Sequence, residues 1–208
     1  MQDRSFYLLP SKQHVDQMGK WMSEARLRLL NTATGLFYAE GIHAVGVDRV
    51  IAEAQVTRAT LYRHFPSKDD LTVAYLTAVD DAMRARVTDA RTAPTPDDVI
   101  RKVAQAITGD IRSKGFRGCA FLNAAAEYPD PTHPVHQAVL RHRDWFLTTM
   151  TELFTATGKP DSEPAAQHFV MLRDGAMTAG CLSDPDPICA TFERGVDGLL
   201  TYRSRQPD

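Results

Sequence analysis

The stretch QVTRATLYRHFPSK, Gln55 to Lys68, carries Arg58, Tyr62, Arg63, His64 and Lys68 and no acidic residue, in a chain whose formal net charge is −2. On a helix, residues four apart share a face. Leu61 and Phe65 therefore give RATLYRHF a side to bury, and the pairs Arg58/Tyr62, Ala59/Arg63 and Thr60/His64 line the sides left over. Thr57 stands where an N-cap is needed, and the free amides and positive dipole end that follow it favour phosphate.

Working back from Thr57, VDRVIAEA reads as a short helix with Val50 and Ala54 turned inward, and Gln55-Val56-Thr57 as a three-residue turn. Two helices joined in this way form a helix-turn-helix unit, whose second helix enters the DNA major groove. The residue types suit that task. Arginine can read guanine with two hydrogen bonds, threonine can reach base edges or a thymine methyl, and tyrosine, histidine and lysine can hold phosphates. Lys68, in the first turn of the next helix, adds a phosphate anchor, and the lack of carboxylates within the stretch avoids repelling the DNA backbone. The same spacing also fits a solvated cationic face on an ordinary helical hairpin.

The run QVTRATLYRHFPSKDDL, preceded by LFYAEGIHAVGVDRVIAEA, resembles the DNA-binding domain of the TetR family of transcriptional regulators. That family's motif is a Gly-Val-Ser/Thr turn, then Thr-Leu-Tyr-x-His-Phe, then Ser-Lys and a Leu. It is matched without gaps by Val56, Thr57, Thr60, Leu61, Tyr62, His64, Phe65, Ser67, Lys68 and Leu71. The resemblance implies DNA contacts from Thr60, Tyr62, His64 and Lys68, the last three mainly to phosphates, with Arg58 and Ala59 facing bases. Val47, Thr57 and Arg63 complete the expected DNA-facing set. Two positions depart from the family pattern. Gln55 replaces the usual glycine at a turn that requires positive φ, at a cost of about 1 kcal/mol. Gly46-Val47 stands where a serine or threonine usually caps the first helix of the pair, which weakens that cap.

The rest of the chain reads as all-α, with about nine helices and no alternating strand pattern. A helix from about Ser23 to Glu40 carries Met22, Leu29, Ala33, Leu36 and Phe37 as one stripe, with Ser23 as its cap and Gly41 placed to end it in the left-handed conformation. Ser67 and Asp70 form a capping box for a helix running to about Ala90. Thr95 and Pro96, followed by Asp97 and Asp98, start another that stops near Gly115. GCAFLNAAAEY is a short helix. Thr132 is expected to cap a long one reaching Gly158, and Ser162–Gly180 and Pro187–Tyr202 complete the set. The expected organisation is an N-terminal extension over 1–22, a helix-turn-helix DNA-binding domain over 23–68, and a helical regulatory and dimerisation domain over 69–208.

The resemblance weakens but continues through GFRGCAFLNAAAEYPDPTHPVHQAVLRHRDWF and HFVMLRDGAMTAG. It implies a ligand-responsive repressor that binds a palindromic operator as a homodimer through its last two helices and is released by a small-molecule effector. The sequence supports the dimer in two ways. PAAQHFVMLRDGAMTAG is rich in small residues, and Ile188, Phe192, Val196, Leu199 and Leu200 form an apolar stripe, which equally fits packing within one subunit. Candidate ligand-binding residues are Phe116, Phe121, Asn123, His142, Trp145, Phe146, Met150 and Phe169, a mixture of aromatic and polar groups of the kind that lines cavities. His142 shares a stripe with Val135, Val139, Phe146 and Met150, where a satisfied core histidine is the ordinary alternative.

Other readings are carried alongside. Cys119 begins a helix two residues from Arg117, a setting that can activate a thiol and would make the chain a redox-responsive regulator; packed inside, it is simply a core residue. His133 and His136, with Glu127, Asp130 and His142 nearby in sequence, sketch a metal site and hence a helical metalloenzyme. No nucleophile elbow, phosphate loop or dinucleotide fingerprint accompanies them, so no enzyme, cofactor or metal is expected. The N-terminal MQDRSFYLLPSK has no signal-peptide pattern, and no apolar run reaches the roughly 20 residues that a membrane span requires. Three cysteines do not make a disulfide framework. With 24% charged and 43% hydrophobic residues, these features point to the cytoplasm and no membrane partner. Lys12 and Lys20, in the extension, are further possible DNA contacts.

Overall fold

The computed structural model describes residues 23–201. Met22, Lys12, Lys20 and the rest of the expected N-terminal extension lie outside the described residues. Nine helices and no strand occur among the residues described: α1 (Glu24–Glu40), α2 (Val47–Ala54), α3 (Arg58–His64), α4 (Lys68–Ala90), α5 (Pro96–Ile111), α6 (Ala120–Glu127), α7 (Pro134–Ala156), α8 (Ser162–Ala179) and α9 (Pro185–Thr201). None of them is long and apolar enough to cross a membrane.

The helix starts follow from side-chain caps. Ser23 Oγ accepts from Arg26 N, Thr57 Oγ1 from Thr60 N, and Thr95 Oγ1 from Asp98 N, each satisfying an amide that has no partner inside its own helix. Ser67 Oγ accepts from Asp70 N at 3.0 Å and donates to the Asp70 carboxylate at 2.7 Å. Thr132 does not cap α7. Its N–H and hydroxyl both turn to Asp130, and His133 Nδ1 accepts from Val135 N instead. At the end of α1, Gly41 does have positive φ (96°), but its ψ of 148° is extended rather than left-handed helical. α9 begins at Pro185, inside the SDPDP segment expected to separate the helices, because Asp184 Oδ1 accepts from Asp186 N.

Two compact units emerge. Of the described residues, the first holds 23–83 together with Ala120–Leu140; the second holds Arg84–Cys119 and 141–201. The expected boundary after Lys68 falls at the first residue of α4. In the first unit, α1 packs on α2 and α3, burying Leu29, Leu30, Ala33, Leu36 and Phe37 of α1 with Val50, Ala54, Leu61 and Phe65. Phe37 meets Tyr75 of α4 edge-on at 5.9 Å. The α6–α7 segment joins this unit through polar contacts. Glu127 accepts from Ile42 N (2.9 Å) and His43 N (2.5 Å), and His133 Nε2 lies 3.3 Å from Asp69.

In the second unit, α9 packs on α8 and α5. Phe169 of α8 touches Phe146 and Phe154 of α7 and Phe192 of α9. The α9 stripe is therefore largely consumed inside the unit: Phe192, Val196 and Leu200 are buried, and Ile188 and Leu199 half-buried. The buried members of the stripe pack against α5 and α8 of the same chain. Ion pairs Arg101–Asp197 and Arg112–Asp186 tie α5 and its C-cap residue to α9, and Lys159–Asp97 ties the α7–α8 loop to the start of α5.

Candidate nucleic-acid interface

The α2–turn–α3 unit is anchored from below and open above. Leu61 has no exposure and Phe65 2%, with the Arg26 guanidinium over the Phe65 ring at 4.9 Å. Burying the i and i+4 positions of so short a helix fixes which side faces outward. Arg58, Ala59, Tyr62 and Arg63 are exposed, Tyr62 at 41%.

The turn depends on Gln55, whose φ of 53° and ψ of 50° place it in the left-handed region. Its N–H and that of Val56 close the end of α2 on Ala52 O and Ile51 O. The family's glycine position thus keeps its backbone shape without the glycine. At the other end of α2, Gly46 supplies no side-chain cap, and Val47 follows it half-buried.

The remaining expected DNA-facing residues have partners. Thr57 and Thr60 share a hydrogen bond between hydroxyls at 2.8 Å, so the N-cap also orients Thr60. His64 Nε2 lies 3.1 Å from Ser23 Oγ, the residue that caps α1. Lys68, half-buried in the first turn of α4, has its ammonium pKa lowered by burial, against the pull of Glu127 and Asp69. Arg63 and His64 occupy the last turn of α3, where positive charge suits the helix dipole.

Asp48 was missed in the sequence reading. The 55–68 stretch is free of acids, yet Asp48 of α2 pairs with Arg58 across the turn. Arg49 is likewise engaged, by Glu40 (2.5 Å) and Glu53 (3.1 Å). The only sequence signal for the Asp48–Arg58 pair is a carboxylate in the first turn of the partner helix.

The residues expected to bind ligand separate into groups. In the second unit, Trp145, His142, Phe146 and Phe169 form a contiguous cluster: His142–Phe146 stacked at 6.3 Å, His142–Trp145 at 5.6 Å, Trp145–Phe146 at 6.0 Å. His142 is 2% exposed and lies on the expected buried stripe with Val135, Val139, Phe146 and Met150. The Arg84 guanidinium lies over Trp145 at 4.1 Å. Phe116 lies beside Gly180, its Cε1 3.3 Å from where a Cβ there would stand. Phe121 and Asn123 belong to α6, the first buried and the second exposed. None of the eight lines the cavity of about 400 Å³ that opens among Phe154, Lys159, Asp161, His168, Gly198 and Leu199.

Arg173 is the second residue that sequence reading missed. It is 3% exposed on the buried side of α8, and its Nη2 donates to Cys119 Sγ at 3.3 Å. Cys119 is buried, Cys189 likewise, Cys181 exposed, and all three are free thiols. Of the metal candidates, His133 is engaged by Val135 N and Asp69, and His136 by Tyr128 O. Among the described residues no three His, Cys, Asp or Glu side chains are grouped to hold a metal ion.

A short helix with a buried apolar edge, a capped amino end and an outward cationic, aromatic face, set behind a tight left-handed turn, defines a helix-turn-helix DNA-binding protein. The chain belongs to the TetR family of transcriptional regulators. Residues 29–75 match the family described as bacterial regulatory proteins, tetR family. The chain is 63% identical to the TetR-family transcriptional regulator SCO4454 of Streptomyces coelicolor, over 86% of this chain and 95% of that one, with a TM-score of 0.83. It is 22% identical over 182 residues to the HTH-type transcriptional regulator YjdC of Escherichia coli, covering 86% of this chain and 95% of the relative. It is also 29% identical over 143 residues to LmrA of Bacillus subtilis, covering 67% and 76%.

Proposed function

We propose that this DNA-binding regulator acts as a cytoplasmic homodimeric repressor, holding a palindromic operator and releasing it when a small-molecule effector binds the second unit. The observation that carries the DNA half is the α3 face: Arg58, Ala59, Tyr62 and Arg63 point outward while Leu61 and Phe65 are locked in the core. Arg58, Ala59 and Thr60 read bases. Tyr62, His64 and Lys68 hold phosphates, and Val47, Thr57 and Arg63 border the contact.

A two-fold dimer sets two such helices on successive turns of a palindrome. Support for pairing through the last two helices comes from Met171 and Leu172, exposed on α8 by 71% and 36%, and from Leu182, exposed by 80% just beyond it. These apolar side chains lose solvent contact when a second copy covers them. The effector group is drawn from the cluster of His142, Trp145, Phe146, Met150 and Phe169, with Phe116, Phe121 and Asn123 as further candidates. Effector binding and DNA binding then oppose one another by a coupling free energy.

The test is fluorescence anisotropy with a duplex from upstream of the protein's own gene, wild type beside Tyr62→Ala/Lys68→Ala, across a salt series. Tight, salt-sensitive binding that the double variant loses supports the reading. Equal, weak binding by both proteins to that duplex and to a random-sequence pool makes α3 a solvated face and overturns it.

A further inference from the structure

The side chain of Arg173 is buried to 3% exposure, yet its hydrogen bonds are unevenly filled. Nη1 donates to Asp174 Oδ1 at 2.8 Å, and Nη2 donates to Cys119 Sγ at 3.3 Å. Nε is buried and has no hydrogen-bond partner among the described residues. A guanidinium presents Nε–H and Nη2–H as one edge of parallel donors that matches the two oxygens of a carboxylate. In Arg173 that edge meets only a sulfur, which is a weak acceptor.

The carboxylate partner of Arg173 is shared. Asp174 divides its carboxylate between Arg173 and Arg143, whose Nη1 donates to Oδ2 at 2.8 Å. The other nearby carboxylate, Asp110, is taken by Arg86 at 2.6 Å. A buried cation calls for a full partner, because a charge taken out of water is costly when left partly paired. The Arg173 guanidinium carbon lies 5.4 Å over the Phe146 ring, and Phe146 is stacked on His142 and touches Phe169. Donors thus lie beside an aromatic wall.

The geometry points to an organic carboxylate as the ligand of this cluster, its carboxyl group held by Nε and Nη2 of Arg173 and its apolar body against the Phe146 and Phe169 rings. This names the chemistry of the effector in the regulator described above and rests on that reading, but the anion site can be tested apart from it.

The probe is a library of fragment-sized carboxylic acids, each paired with its neutral primary amide, screened against the full chain by saturation-transfer NMR. Wild type, Arg173→Met and Arg173→Lys are compared, with thermal melting and DNA binding as checks of folding. The expected result is that acids bind wild type and their amides do not. Arg173→Lys, which keeps the charge but loses the paired donors, weakens the acids by about tenfold or more, and Arg173→Met abolishes their binding. If Arg173→Met does not fold, the lysine variant decides. Amides that bind as well as acids, acids bound equally by wild type and both variants, or a library without an acid that binds would each overturn the inference. Neutral compounds that release DNA would leave the effector reading standing and remove the anion. Acids that bind through Arg173 without changing DNA affinity would do the reverse.

Discussion

Arg58, the first residue of the recognition helix, is held by the carboxylate of Asp48, the second residue of the helix before it. The two side chains are 58% and 74% exposed, so the pair contributes little to stability. Its weight falls on DNA binding. An arginine expected to face bases is engaged by an internal anion, and that anion sits beside the face proposed to meet phosphates. Asp48→Asn should tighten operator binding by a few-fold and steepen its salt dependence, as one cation is released and one repulsive charge removed. Anisotropy at two salt concentrations measures both. Weaker binding would instead assign Asp48 the task of aiming Arg58.

Gln55 holds a left-handed conformation, φ 53° and ψ 50°, that glycine adopts without steric cost. Gln55→Gly should stabilise the chain by about 1 kcal/mol, raising Tm by about 2–4 °C, with DNA binding retained. A melting curve beside an anisotropy titration is sufficient. A lowered Tm would mean that the glutamine side chain contributes more than its backbone costs.

Glu127 is the acceptor for two consecutive amides, Ile42 N and His43 N, that follow α1. Hydrogen bonds to a charged group are worth more than neutral ones, so Glu127→Ala should cost about 2 kcal/mol, and Glu127→Gln, which keeps one acceptor oxygen, less than that. Urea unfolding of the three proteins tests the order.

Asp110 governs a pH dependence. Burial raises its carboxyl above the ordinary range, while the Arg86 hydrogen bond at 2.6 Å and, more weakly, the charges of Arg86 and Arg173 favour the ion. A folded-state value above the unfolded one means that the folded chain binds the extra proton across the interval between them. Stability therefore falls as pH rises through that interval, which begins at about pH 4. Asp110→Asn should flatten this part of the profile in unfolding experiments at stepped pH. An unchanged slope would place the dependence elsewhere.

Most of the helical frame was legible because its signals are local. Ser23, Thr57, Ser67 and Thr95 each lie three residues before the amide they accept, and a spacing of that kind is visible in one dimension. The α3 face was legible for the same reason: Leu61 and Phe65 decide it between them. Thr132 misled because the competing acceptor is an imidazole on the very next residue, a cap outside the usual set. Gly41 ends α1, but its ψ answers to the contact of the following amides with Glu127, 85 positions from Ile42 in the chain. Asp48 beside Arg58 and Arg173 beside Cys119 were illegible because each pair joins separate segments, and charge counted along the chain does not disclose which groups face one another. In Arg173 the hint was a cation on the Phe169–Met177 side of α8, at a spacing that otherwise carries apolar residues.

The guanidinium of Arg84 over Trp145 gives the molecule an optical use. The chain has two tryptophans, and Trp21→Phe leaves Trp145 as the single indole emitter. Its ring lies under a cation and beside the His142 imidazole, one ring contact away from Phe146, over which Arg173 sits. Intensity and emission maximum then report on the electrostatics of that cluster directly, so occupancy can be followed by light in the absence of DNA, label or known operator.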